Sequence, residues 1–186
     1  QACDLFERAQ AAEKTLASAH WGLAKCAVID DKPDLARTHL ETALKLDPNN
    51  PVSWVQLGDF ERYSNNLQAA EKAYSAGLKL APNDIQGLAE RANTYIFLGQ
   101  SGPAEADIKK LRQLAPRHFL VDYLQALQSY RTNKPDEALS AVQKALQRNP
   151  DYPPAVYLLG TLQHQRGENE QAAKTLGQYL RMLPGD

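Results

Sequence analysis

An all-α solenoid of stacked helix-turn-helix hairpins is the fold class this sequence predicts, and three columns of residues predict it. Proline recurs at Pro48, Pro82, Pro116, Pro150 and Pro184, each 34 residues after the last. Alanine recurs in phase at Ala36, Ala70, Ala104, Ala138 and Ala172. A third column admits only small side chains: Ala24, Gly58, Ala92, Ala126 and Gly160. A fixed period of this kind means that each unit is one supersecondary element, unable to bury its apolar face except against its neighbours.

The period divides the chain into a leading segment, 1–16, and full units at 17–50, 51–84, 85–118, 119–152 and 153–186, read together as one continuous array. Residues 1–16 fit the second helix of a truncated unit, with Ala2, Phe6 and Ala9 standing where Ala70, Tyr74 and Gly77 stand in the second full unit. In that unit Trp54, Leu57 and Gly58 fall at helical spacing and predict a first helix from about Val52 to Ser64. Ala70, Ala73, Tyr74, Gly77 and Leu78 form one stripe of a second helix from about Leu67 to Leu80.

Breakers and caps mark the turn inside each unit: Asp30-Asp31-Lys32-Pro33, Asn65-Asn66, Gly99-Gln100-Ser101-Gly102, Asn133-Lys134-Pro135 and Gly167-Glu168-Asn169. Pro33, Pro103 and Pro135 fall in the first turn of a second helix, where the missing N–H is no loss. The proline column lies just past each second helix, where coiling must stop. The small columns predict close approach of the paired helices, Ala24 meeting Ala36 and Gly58 meeting Ala70.

Trp54, Leu57, Gly58, Ala70, Tyr74 and Pro82 resemble the signature of the tetratricopeptide repeat (TPR), departing from it at Glu61 and Gly77. The likeness, which implies a right-handed superhelix, extends over the whole chain, which starts in mid-repeat and stops at a repeat boundary, as a piece of a longer array would. The last helix carries Leu176, Tyr179, Leu180 and Leu183 on one face, a stripe expected to meet a further repeat, a second molecule in self-association, or solvent.

A narrower resemblance lies in Tyr123-Leu124-Gln125-Ala126-Leu127, Pro154-Ala155-Val156-Tyr157-Leu158-Leu159-Gly160 and Leu180-Arg181-Met182-Leu183-Pro184-Gly185. These are similar to a block of bacterial TPR lipoproteins encoded with exosortase (PEP-CTERM) and exopolysaccharide genes. That resemblance implies an exported scaffold in the periplasm or at the outer membrane that assists polysaccharide assembly or export. It would be held to the membrane only through a lipid anchor upstream of this chain. A cytoplasmic peptide-binding TPR module and the TPR regulatory region of a larger enzyme are the alternatives.

Charge narrows the partners. With 21 Lys and Arg against 22 Asp and Glu, there is no surplus of positive charge for a phosphate backbone, so nucleic acid is not an expected partner. The apolar run Ala155 to Gly160 is too short to span a bilayer.

Enzymatic readings find little support, and no metal or cofactor is expected. His20, His39, His118 and His164 occupy four different repeat positions without ligand spacing, so packing and surface roles are expected. Gly99-Gln100-Ser101-Gly102 belongs to the turn column rather than to a phosphate loop, and Asp30-Asp31 reads as a solvated turn. Cys3 and Cys26 lack a CxxC spacing and read as buried, reduced thiols on helices, with a disulfide between them as the alternative.

Function is then expected in a surface that binds a protein or peptide. In the resembled family the first helices line the concave face, which selects the first-helix residues outside the core stripe. These are Trp21, Lys25, Val55, Asp59, Arg62, Tyr63, Asn93 and Phe97, followed by Tyr123, Leu127, Tyr130, Arg131, Tyr157, Thr161 and His164. The family's clamp for a C-terminal carboxylate is not reproduced, since only Lys25 and Asn93 match it in type.

The fourth unit departs most from the signature. Asp122, Gln125 and Ser129 hold its core positions, while Leu120, Tyr123, Leu124, Leu127 and Tyr130 form an apolar stripe. Either the stripe is an aromatic groove for a partner, or the helix is turned by about 100° and buries it.

Overall fold

The computed structural model of the chain describes residues 2–13 and 16–183. Among them are eleven α-helices and no strand: α1 Ala2–Ala12, α2 Ala17–Ile29, α3 Pro33–Leu46, α4 Pro51–Tyr63, α5 Leu67–Leu80, α6 Ile85–Phe97, α7 Ser101–Leu114, α8 Phe119–Arg131, α9 Pro135–Arg148, α10 Pro153–Gln165 and α11 Asn169–Met182. The expected hairpins are present, and Pro184, the last of its column, lies outside the described residues. Two compact units, Gln1–Thr94 and Tyr95–Asp186, divide within α6.

Each hairpin turns on one residue. Asp31, Asn65, Gly99, Asn133 and Gly167 all have positive φ, from 55° to 76°, and stand 34 residues apart. Left-handed backbone is tolerated best by glycine and then by asparagine and aspartate, which are the three types found. The next amide donates to the carbonyl five positions earlier: Lys32 to Ala27 (2.8 Å), Asn66 to Glu61 (2.7 Å), Gln100 to Tyr95 (2.8 Å), Lys134 to Ser129 (2.8 Å) and Glu168 to Gln163 (3.0 Å). This closure satisfies carbonyls that the helix end would otherwise leave bare. Pro33, Pro51, Pro135 and Pro153 open α3, α4, α9 and α10.

In Gln1–Thr94 the hairpins α2–α3 and α4–α5 pack through the small columns, with Ala36 and Ala70 fully buried. Ala24 and Ala36 share one apolar cluster with Ala27, Leu40 and Phe60. Gly58 behaves differently from the expected pairing with Ala70. A Cβ on Gly58 would fall 2.5 Å from the ring of Tyr74, so the missing side chain makes room for an aromatic one turn further along α5.

The two departures from the repeat signature have physical causes. Glu61 is 3% exposed and is gripped by both terminal nitrogens of Arg37 from α3, Nη2 donating to Oε2 at 3.0 Å. Asn66 Nδ2 donates to the same oxygen at 3.0 Å, so the buried carboxylate is paired and hydrogen-bonded. Gly77 lets α5 approach the start of α4, where a Cβ would lie 3.1 Å from the Pro51 carbonyl oxygen and 3.2 Å from Trp54 Cβ.

The cysteines correct the reading as reduced thiols. Cys3 of α1 and Cys26 of α2 form a disulfide, with Cα atoms 5.9 Å apart. No residue of α1 is buried, so the bond and the ring of Phe6, seated over Gly22, hold that helix to α2.

In Tyr95–Asp186, the apolar stripe of α8 is largely buried. Leu120, Tyr123, Leu124 and Leu127 are buried, and Tyr123 meets the ring of Tyr152 edge-on at 5.0 Å. Asp122 is paired with Arg148, Gln125 is exposed and accepts from Arg112, and Ser129 donates to Glu137 at 3.3 Å. Ala126 and Ser129 stay buried, as Gly58 and Glu61 do on α4, so α8 buries its stripe in addition to these positions and the polar groups there find partners. On α11, Leu176 covers Gly160 and Tyr179 lies 5.2 Å from the Tyr157 ring, while Leu180 and Leu183 remain exposed.

Candidate binding groove

Helical periodicity places Trp21, Lys25, Val28 and Ile29 on one side of α2, and Asp59, Arg62 and Tyr63 on one side of α4. Together with Phe60, Leu40 of α3 and Glu90 of α6, they line a groove of about 490 Å³ within Gln1–Thr94. Five residues selected from the sequence, Trp21, Lys25, Asp59, Arg62 and Tyr63, therefore meet at one place.

The groove has a polar floor and apolar walls. Tyr74 Oη donates to Asp59 Oδ1 at 2.7 Å. Arg62 Nε lies 3.4 Å from Glu90 Oε2, and Gln86 Nε2 donates to Glu90 Oε1 at 2.8 Å. Burial raises the pKa of both Asp59 and Glu90 above ordinary carboxylate values. The Tyr74 hydrogen bond and the Arg62 charge oppose the rise at Asp59, and the Arg62 charge opposes it at Glu90. The Tyr74 hydroxyl is pushed upward by burial and then by the Asp59 charge, so it stays protonated as a donor. Trp21 Nε1 is buried and finds no acceptor among the described residues. At the rim, Ile29 is 81% exposed and Tyr63 78% exposed.

The remaining selected residues scatter. Asn93 is half-buried on the same helix as Glu90. In Tyr95–Asp186, Arg131 stands 5.5 Å over the exposed Phe97 ring and donates to the Phe97 carbonyl at 3.5 Å. Tyr130 is half-buried and accepts from Gln165 at 3.4 Å, and Tyr157 is exposed. Tyr123 and Leu127 are corrected: both are buried, so the stripe they belong to is packing surface rather than an open groove. Val55 is likewise buried, beside Ala70 and Tyr74.

Ile29, Phe60 and Glu90 are groove residues that escaped the sequence reading. Ile29 was legible, since Ile29, Tyr63 and Phe97 occupy one 34-residue column. His20 and His39, unrelated by repeat position, also come together, Nδ1 to Nδ1 at 3.0 Å. Burial and then the His20 charge lower the pKa of His39.

No curated protein sequence matches this chain. Among solved structures it is similar to TTC0263, a thermophilic TPR protein of Thermus thermophilus, at 19% identity over 91% of this chain and 93% of that one, with a TM-score of 0.77. It is similar to pilF of Pseudomonas aeruginosa at 17% identity over 91% and 78%, TM-score 0.69. It is also similar to YrrB, a TPR protein with an unusual peptide-binding site, at 17% identity over 98% and 94%, TM-score 0.64. Tetratricopeptide repeat sequence profiles match residues 30–85, 90–153 and 130–186. With the period, the hairpins and these matches in agreement, the chain belongs to the tetratricopeptide repeat family.

Proposed function

We propose that this chain is a non-enzymatic protein-interaction scaffold, one continuous array of repeats, that holds a segment of a protein partner in the groove between α2 and α4. The exposure of Ile29 and Tyr63 carries the reading: they are the most exposed large apolar side chains among the described residues, and both line the groove. Paired apolar anchors around a polar floor are suited to a partner segment that covers them. The peptide-binding site named for YrrB supports the same mode of action here. A photo-crosslinking amino acid at Tyr63 is expected to capture a protein in cells, whereas the same group at Lys109 on α7 is not. Failure to capture at Tyr63 refutes the reading.

The cellular setting we propose is the periplasm or outer membrane, with this chain a piece of a longer lipid-anchored protein that assists exopolysaccharide assembly or export. The resemblance of the Tyr123 to Gly160 region to TPR lipoproteins supports it. The Cys3–Cys26 disulfide supports it too, since disulfides persist in oxidising compartments. In such a protein the exposed Leu180 and Leu183 meet a further repeat or a second copy. Thiol labelling of intact cells is expected to find Cys3 and Cys26 oxidised; free thiols in a cytoplasmic fraction refute the setting.

A further inference from the structure

We infer that the groove between α2 and α4 selects an extended partner segment that is uncharged where it lies in the groove and is anchored by an aliphatic or aromatic side chain against Ile29 and Tyr63. This rests on the groove being a protein-partner site and specifies the chemistry of that partner.

The charges of the lining compensate one another. Lys25 and Arg62 stand against Asp59 and Glu90. Asp59 is engaged by Tyr74 and attracted by both Arg62 and Lys25, and Glu90 is engaged by Arg62 and Gln86. The two signs are equal in number, and of the two cations Arg62 is paired with Glu90 while Lys25 stands exposed at the rim without an ion pair among the described residues, so a charge lying on the groove floor would give up its hydration without a dedicated counter-ion. A neutral segment has no such cost.

Two features of the wall then say what the neutral segment must bring. Ile29 and Tyr63 offer exposed apolar surface at the rim, with Val28 and Phe60 also in the lining, so an apolar side chain placed there is removed from water. Trp21 adds its indole ring to the same lining, further apolar surface for that side chain. The combination differs from a carboxylate clamp, in which several unpaired cations converge, since Arg62 is held by Glu90 and Lys25 stands without a second free cation beside it in the lining.

The test is selection of a random short-peptide library displayed on phage against the folded chain. Calorimetry follows with the selected sequences, synthesised with acetylated and amidated ends. Winners are expected to share an apolar anchor flanked by uncharged residues. Their affinity is expected to hold within about twofold between about 0.1 M and about 1 M NaCl, over which the screening length falls from about 10 to about 3 Å. Tyr63→Ala and Ile29→Ala are each expected to weaken binding about tenfold, and Tyr63→Phe to retain it, with helix content unchanged in all three. Winners with a fixed acidic or basic residue whose affinity drops tenfold or more with salt overturn this inference while leaving a peptide-binding scaffold standing. So does binding insensitive to Tyr63→Ala. Recovery of no binding peptide overturns both readings.

Discussion

In Gln1–Thr94 the first-helix positions Lys25 and Asp59 line an open groove, whereas Leu127, in the same 34-residue column of Tyr95–Asp186, is buried. Trp21 lines that groove, while its counterpart Tyr123 is 7% exposed and packed against Tyr152. Tyr63 is free of the core, but its counterpart Arg131 covers Phe97. A repeat position therefore does not define a surface. The side chains that surround a position decide whether it faces solvent or a neighbour: Tyr152 covers Tyr123, and Arg131 lies over Phe97.

The sharpest way to break this contrast is a pair of tyrosine substitutions. Tyr123→Ala should lower stability by about 3–5 kcal/mol by emptying a buried site, whereas Tyr63→Ala should change it by less than about 0.5 kcal/mol. Denaturant titrations of the two variants, if they gave equal losses, would erase the distinction. Next in size is the staple between α1 and α2. Replacing both Cys3 and Cys26 by serine should lower stability by about 2–4 kcal/mol and open α1 to proteolysis; unchanged digestion in oxidising buffer would show that Phe6 alone suffices.

A third prediction sharpens the role of the small column. Ala138 is fully buried on α9, so Ala138→Leu should destabilise by about 1–3 kcal/mol through overpacking, measured by thermal melting. The smallest effect concerns His39, held below its ordinary value of 6.5 by burial and by His20. Between that lowered value and 6.5 the unfolded chain binds the proton and the folded chain does not. Stability is therefore lost as pH falls from 6.5 through the folded-state value. A His39→Gln variant should flatten the stability profile over that window; an unchanged slope would remove the pair from the account.

Much of the architecture is legible in the chain because its causes are local. The turn residues Asp31, Asn65, Gly99, Asn133 and Gly167 announce left-handed backbone by type and position. Ala36, Ala70, Ala104 and Ala138 announce burial by their size and phase. The groove was partly legible, since Lys25, Asp59, Arg62 and Tyr63 follow from helix phase together with the resembled family's use of first helices as the binding face. Glu90 was not, and its pairing with Arg62 between α4 and α6 is what marks it as part of the groove.

By itself the sequence determined the period, the hairpins, their turns and the positions too crowded for a large side chain. All of these follow from backbone dihedrals, capping and side-chain volume within or between adjacent helices. The tertiary structure alone decided that Gly58 makes room for Tyr74, that Glu61 is held by Arg37, that Cys3 reaches Cys26, and that Tyr123 turns inward while Tyr63 stays out. Those outcomes depend on the rotation and separation of packed helices, and a repeating column of residue types carries neither quantity.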